Sequence, residues 1–130
     1  MDAQRLRAAC LALPGTYEDF PFGEETAVFK VQAFAGTPRA RPGRIFALSG
    51  LHVTTPLTVS LKCEPQLAVE LRRDHREITP AYHLNKEHWN GVDLTGALPD
   101  DLVLAMVEDS WDLVVAGMTV RERANLDWGG

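Results

Sequence analysis

Between Thr26 and Phe34 the chain alternates, with Ala27, Phe29, Val31 and Ala33 on one side of an extended backbone and Val28, Lys30, Gln32 and Phe34 on the other. A period of two belongs to a strand with one buried face. The same period returns in "PLTVSLKC", where Leu57, Val59, Leu61 and Cys63 oppose Thr58, Ser60 and Lys62. Between these two, "RIFALSG" reads as a further strand stopped by Ser49-Gly50. Elsewhere the apolar spacing lengthens to three and four. Ala3, Leu6, Cys10 and Leu13 share one side of a helix that Asp2 caps and Pro14-Gly15 ends. Pro65 suits the first turn of a second helix reaching His75, with Leu67 and Leu71 on its inner side.

A last helix starts near Pro99-Asp100-Asp101. Stepping about 100° per residue from Leu102, the residues Leu102, Val103, Met106, Val107, Trp111, Leu113, Val114 and Val115 fall between about 0° and 220°. Asp101, Glu108 and Asp112 fall between about 240° and 280°, so the helix reads as mostly buried with a narrow acidic edge. Before it, "HWNGVDL" reads as extended. The order is helix, two or three strands, helix, strand, helix. That order predicts an α+β fold, an antiparallel sheet of about four to five strands with helices packed on one face in two layers. Residues 1–120 are expected to form a single domain and residues 121–130 a C-terminal tail.

Composition agrees with one domain. A chain of 130 residues, 45% hydrophobic and 24% charged, can bury one core and lies far from the disordered regime. No stretch approaches the length of a membrane span and the start lacks the apolar run of a secretory signal, so a cytoplasmic location without membrane association is expected. Cys10 and Cys63 lack the paired spacing of a metal site and read as buried thiols.

Charge changes the picture further. The net charge of −5 is uneven: residues 1–63 hold seven Lys/Arg against five Asp/Glu, and residues 64–130 hold six against thirteen. An anion-binding surface should therefore come from the first half, whose densest basic stretch, "TPRARPGR", is a loop carrying Arg39, Arg41 and Arg44.

The stretch "ITPAYHLNKEHWNGVDL" concentrates Tyr82, His83, Asn85, Lys86, His88 and Trp89. His83 and His88, with His75 nearby, have no recognised ligand spacing, so neither a metal nor another cofactor is expected. Cys63 and Ser60 have no base beside them in a strained turn, no glycine-rich loop is followed by Lys-Ser/Thr, and Glu108 and Asp112 read as a solvated edge. The expectation is that the protein is not an enzyme and has no catalytic residues. Two uses of the cluster remain. Tyr82 and Trp89 could plug a sheet edge while His83 and Asn85 satisfy turn backbone groups. Alternatively, Lys30, Gln32, Thr58, Ser60 and Lys62 share the outward sheet face and, with Lys86, His88 and Trp89, make a mildly cationic, aromatic-bearing surface.

The blocks "LPGTYEDFPFGEETAVFKV", "RIFALSG", "VSLKCEP", "ITPAYHLNKEHWNGVDL" and "LPDDLVLAMVEDSWDLVVAGM" resemble, in order and spacing, those of the MmcQ/YjbR family of small bacterial proteins. The resemblance implies a double-wing α+β fold similar to that of frataxin-like proteins, and a label of DNA binding that rests largely on fold. The chain departs from the family at "GTPRARPGR", where a shorter turn is usual, so no role for Arg39, Arg41 and Arg44 comes with the resemblance. Two function classes follow. One is a weak, non-specific DNA-binding module using Lys30, Lys62 and Lys86 with the arginine loop as a wing. The other is a non-catalytic domain binding a protein or a small anionic ligand. The candidate binding residues are Lys30, Arg39, Arg41, Arg44, Lys62, His83, Asn85, Lys86, His88 and Trp89.

Overall fold

The computed structural model describes residues 1–129. Helix α1 (Ala3–Leu11) leads through β1 (Thr16–Asp19), β2 (Ala27–Val31), β3 (Arg44–Ser49) and β4 (Thr58–Lys62) to α2 (Pro65–Asp74). Strands β5 (Ile78–Pro80) and β6 (Trp89–Asp93) then precede α3 (Asp100–Ala116) and α4 (Val120–Gly129). The strands form one antiparallel sheet in the order β1-β2-β3-β4-β6-β5. The expected two-layer α+β architecture is therefore present, with six strands rather than four or five.

Helix boundaries follow local chemistry. Asp2 caps α1 by accepting a hydrogen bond from the Arg5 N–H at 2.8 Å, and Glu64 caps α2 by accepting from the Gln66 and Leu67 N–H groups, with Pro65 at the first position. Helix α3 packs on β3, β4 and β2, while α1 meets β1 and α2 meets β5. The covered side of the sheet carries Ala27, Phe29, Val31, Ala47, Val59, Leu61, Val92 and Ile78, all buried. On α3, Val103, Met106, Val107, Ser110, Val114 and Val115 are buried, whereas Leu104, Ala105, Glu108, Asp109 and Asp112 are exposed. The exposed side of this helix is thus broader than the narrow edge expected. Trp111 is only half-buried, its indole N–H donating to the Pro14 carbonyl at 3.1 Å.

Two features lie beyond simple alternation. Strand β3 slips its register against β2 between Phe29 and Lys30, so Phe46 is an extra residue and both Phe46 and Ala47 are buried. Strands β3 and β4 pair only at Ala47–Leu61 and Leu48–Ser60. Beyond that point the Ser110 hydroxyl bridges them, donating to the Phe46 carbonyl at 2.5 Å and accepting from the Lys62 N–H at 2.9 Å.

Residues 121–130 are not a tail as far as they are described. Thr119 and Glu122 form a reciprocal cap: the Glu122 carboxylate accepts from the Thr119 N–H at 3.0 Å, and the Thr119 hydroxyl accepts from the Glu122 N–H at 3.1 Å. Leu126, 2% exposed, joins the core, and the Asn125 side chain accepts from the Phe34 N–H at 2.8 Å. The Leu126 side chain lies where Gly15, at φ +71°, would carry a Cβ.

Candidate functional site

The helices leave the other side of the sheet open, and strand alternation sends Lys30, Leu48, Thr58, Ser60, Lys62 and Trp89 to it. Val28, expected with the solvated set, is fully buried there. Two loops extend this face. The β1–β2 loop carries Phe20 and Phe22, 43% and 69% exposed, and the β5–β6 loop carries Tyr82, 71% exposed. Because β1 and β5 are the two edges of the sheet, these loops come from its opposite ends. Between them lies a groove of about 380 Å³ lined by Leu48, Thr58 and Ser60 from the strands, Phe22 from one loop, and Tyr82 and His83 from the other. Among the described residues, neither the Thr58 nor the Ser60 hydroxyl has a side-chain hydrogen-bond partner, whereas the Ser49 hydroxyl is engaged by the Thr58 carbonyl at 2.6 Å.

The expected cationic residues are only partly brought together. Lys62 stands directly opposite Trp89 across β4 and β6. Lys86 sits over the Tyr82 ring, its Nζ 5.4 Å from the centroid. Lys30 reaches the same face but donates to the Asp19 carboxylate at 2.8 Å. That hydrogen bond is the main reason the Asp19 pKa is lowered and the Lys30 pKa raised, so the pair stays ionised and mutually neutralised.

The arginines go elsewhere. Arg44 is opposite Val31, a core residue, and so points to the helix side, where its guanidinium lies beside Gly117. Arg39 stacks on Phe34 at 5.6 Å, and the Arg41 carbonyl accepts from the Gln32 side chain at 2.7 Å. With Thr119, Arg121 and Glu122, Arg39 and Arg41 line a depression of about 270 Å³. The Thr119 N–H chiefly, and Arg41 and Arg44 further, hold the Glu122 carboxyl below its usual pKa. Tethered against α4, the loop is no wing of the sheet face.

The β5–β6 cluster divides likewise. Asn85 organises the turn: its side chain accepts from the Glu87 N–H at 2.9 Å and its carbonyl from the N–H groups of His88 and Trp89. The His88 carbonyl accepts from the Cys63 N–H at 2.7 Å, tying the loop to the end of β4. His83 is exposed and makes no side-chain hydrogen bond among the described residues, so it does not serve the turn. Tyr82 is too exposed to plug an edge, and Trp89 is half-buried. Cys10 and Cys63 are both buried thiols; burial chiefly, then Glu18, pushes Cys10 up to about 12, and burial, then Asp109 and Glu64, raises Cys63. Among the described residues no three His, Cys, Asp or Glu side chains converge as metal ligands, and no helix is long and apolar enough to cross a membrane.

Sequence reading missed Phe22 and Tyr82 as a pair of rims. The exposed aromatics in "DFPFG" and "PAYH" were visible, but only the sheet order reveals that both loops border one groove.

Comparison with known proteins bears on the whole chain. The family model described as YjbR matches residues 11–113. Protein YjbR of Escherichia coli strain K12 is 46% identical over 115 residues, covering 88% of each chain. Protein YbdF of Escherichia coli O157:H7 is 33% identical over 127 residues, covering 95% of each. Among solved structures, Deinococcus radiodurans protein DR2400, with domain DUF419, superposes with a TM-score of 0.85 at 39% identity, covering 97% of this chain and 88% of that one. A Pseudomonas syringae protein superposes with a TM-score of 0.67 at 27% identity, covering 87% and 98%. By family model, sequence identity and shared fold, the chain belongs to the MmcQ/YjbR family.

Proposed function

We propose that this protein is a non-enzymatic binding domain whose open-face groove takes a small anionic ligand with a flat apolar body. The groove itself carries the reading: Phe22 and Tyr82 offer aromatic surface at either side, and Thr58 and Ser60 offer unengaged hydroxyls on the floor. The flat body lies between the rings and a carboxylate turns toward His83 and Lys86, where a cation already rests on Tyr82. Only Tyr82 and His83 are titratable among the lining residues, which suits recognition better than proton transfer.

Duplex DNA is the competing reading, favoured by the Lys62–Trp89 pair, which sets a cation beside an aromatic ring on an open face. Two features weigh against it. Lys30 is neutralised by Asp19, and Arg39 and Arg41 lie against the C-terminal helix while Arg44 lies at the end of α3, so few cations remain on the sheet face for a phosphate backbone.

The test is a titration of ¹⁵N-labelled protein with sodium benzoate, followed by amide chemical shifts. Saturable shifts around Thr58–Ser60 and Ala81–Lys86 that Tyr82→Ala and Lys86→Ala weaken are expected. Absence of such shifts, together with low-salt binding of labelled duplex DNA that Lys62→Ala and Lys86→Ala reduce, would replace this reading with DNA.

A further inference from the structure

Asn90 lies on the opposite, helix-covered side of the sheet, between Leu61 of β4 and Pro80 of β5. It is 2% exposed, and neither its carboxamide oxygen nor its nitrogen has a hydrogen-bond partner among the described residues. Buried polar groups are nearly always paired, because an unpaired one keeps its full desolvation cost. A leucine of similar size would suit the surrounding apolar side chains better, so packing alone does not account for asparagine here.

Asn90 lines a narrow, partly open cavity of about 10 Å³ together with Leu61, Lys62, Leu71, Val92 and Met106. That is barely room for one water, and the leucine, valine and methionine side chains offer it nothing to bond. Toward the surface the cavity is bounded by Cys63 and Asp109. The same two residues line a cleft of about 290 Å³, completed by Glu64, Leu67, Asp112 and Leu113, between the start of α2 and α3.

We propose that the α2–α3 cleft is a second ligand site, ending on Asn90, for a neutral or cationic molecule with an apolar body and a carboxamide or lactam edge. Each element follows from the lining. A carboxamide offers one acceptor and two donors, so an amide edge satisfies its oxygen and nitrogen together. The leucines take the apolar body. Glu64, Asp109 and Asp112 at the mouth disfavour an anion. Cys63 and Leu71 are the side chains that turn aside as the polar edge reaches Asn90; rotamer changes of this kind are ordinary at a pocket wall. The site is separate from the open-face groove, shares no lining residue with it, and selects the opposite charge.

Benzamide and benzoate have one shape and differ in charge and amide edge, so they make the test. Amide shifts of labelled wild-type protein should respond saturably to benzamide around Leu61–Leu71, Asn90–Val92 and Met106–Leu113, while benzoate leaves these residues unmoved. Asn90→Leu should weaken benzamide at least roughly tenfold, since the amide edge loses both hydrogen bonds to the carboxamide, and should itself melt above wild type. Cys63→Ala, which removes the outer wall but keeps Asn90, should bind benzamide more tightly. If benzamide leaves these residues unshifted in both wild type and Cys63→Ala, or if Asn90→Leu binds it as wild type does, the proposal fails. Should Asn90→Leu not fold, the Cys63→Ala arm decides alone. Benzoate shifts at Tyr82 and Lys86 report on the other groove and leave this outcome unaffected.

Discussion

The two sides of the sheet use the same strands under opposite conditions. On the helix side, Phe29, Val31, Val59, Leu61 and Val92 are all at most 2% exposed, and a missing atom there leaves a hole that α3 cannot close. On the open side, Lys30, Ser60, Lys62 and Trp89 meet solvent or loops, and only Val28 is fully buried. The difference teaches where function can reside. A packed side tolerates little change, whereas an open side with two aromatic loops can change its chemistry without endangering the fold. Asn90 is the exception on the packed side, which is why its unpaired carboxamide stands out.

That contrast can be broken most directly at Phe29. Phe29→Ala should lower stability by about 3–5 kcal/mol, the range for large core truncations, read as a shift in the urea unfolding midpoint. An unchanged midpoint would mean that the helix side is not a tightly packed core. Ser110→Ala should cost about 1–3 kcal/mol, because it removes the bridge for the buried Phe46 carbonyl and Lys62 N–H at the parting of β3 and β4. Faster amide exchange at Lys62 in that variant would identify the lost bridge as the cause.

On the open side the same experiments should find little. Ser60→Ala and Thr58→Ala are each expected to stay within about 0.5 kcal/mol of wild type, as surface changes usually do, while altering any benzoate-induced shifts. A large destabilisation would make these hydroxyls structural. The smallest effect is that of pH on the Asp19–Lys30 pair. The Asp19 pKa is lowered by the Lys30 hydrogen bond, so the pair's contribution is present above the ordinary carboxylate range and is lost as pH falls through the folded-state pKa. Both groups are solvent-accessible, so Asp19→Asn should only slightly flatten the acid limb of a melting-temperature profile, most visibly at low salt.

Much of this fold was legible because its signals are local. The alternation in β2 and β4, the Asp2 cap of α1, Pro65 at the start of α2 and the apolar run of α3 each need only neighbouring residues. Strands β1 and β5 carry no such signal, because four residues between Gly15 and Pro21 and three residues ending in Pro80 are too few for a period to register. The C-terminal helix carries a local signal as well: Thr119 followed three residues later by Glu122 is a capping box.

The binding residues divide by the same rule. Sequence alone determined that Lys62, Lys86, His83 and Trp89 would accompany a strand and its loop, since their neighbours dictate local conformation. Only the tertiary structure decided which charges act together. Lys30 is eleven residues from Asp19, and its ammonium is neutralised because β1 and β2 lie side by side. Arg39 and Arg41 were sent to the C-terminal helix by contacts across some eighty residues, and Phe22 and Tyr82 were joined in one groove from opposite sheet edges. Side-chain periodicity is carried by a few consecutive bonds, but charge neutralisation and pocket walls depend on distances through space, which strand order sets and local sequence does not contain.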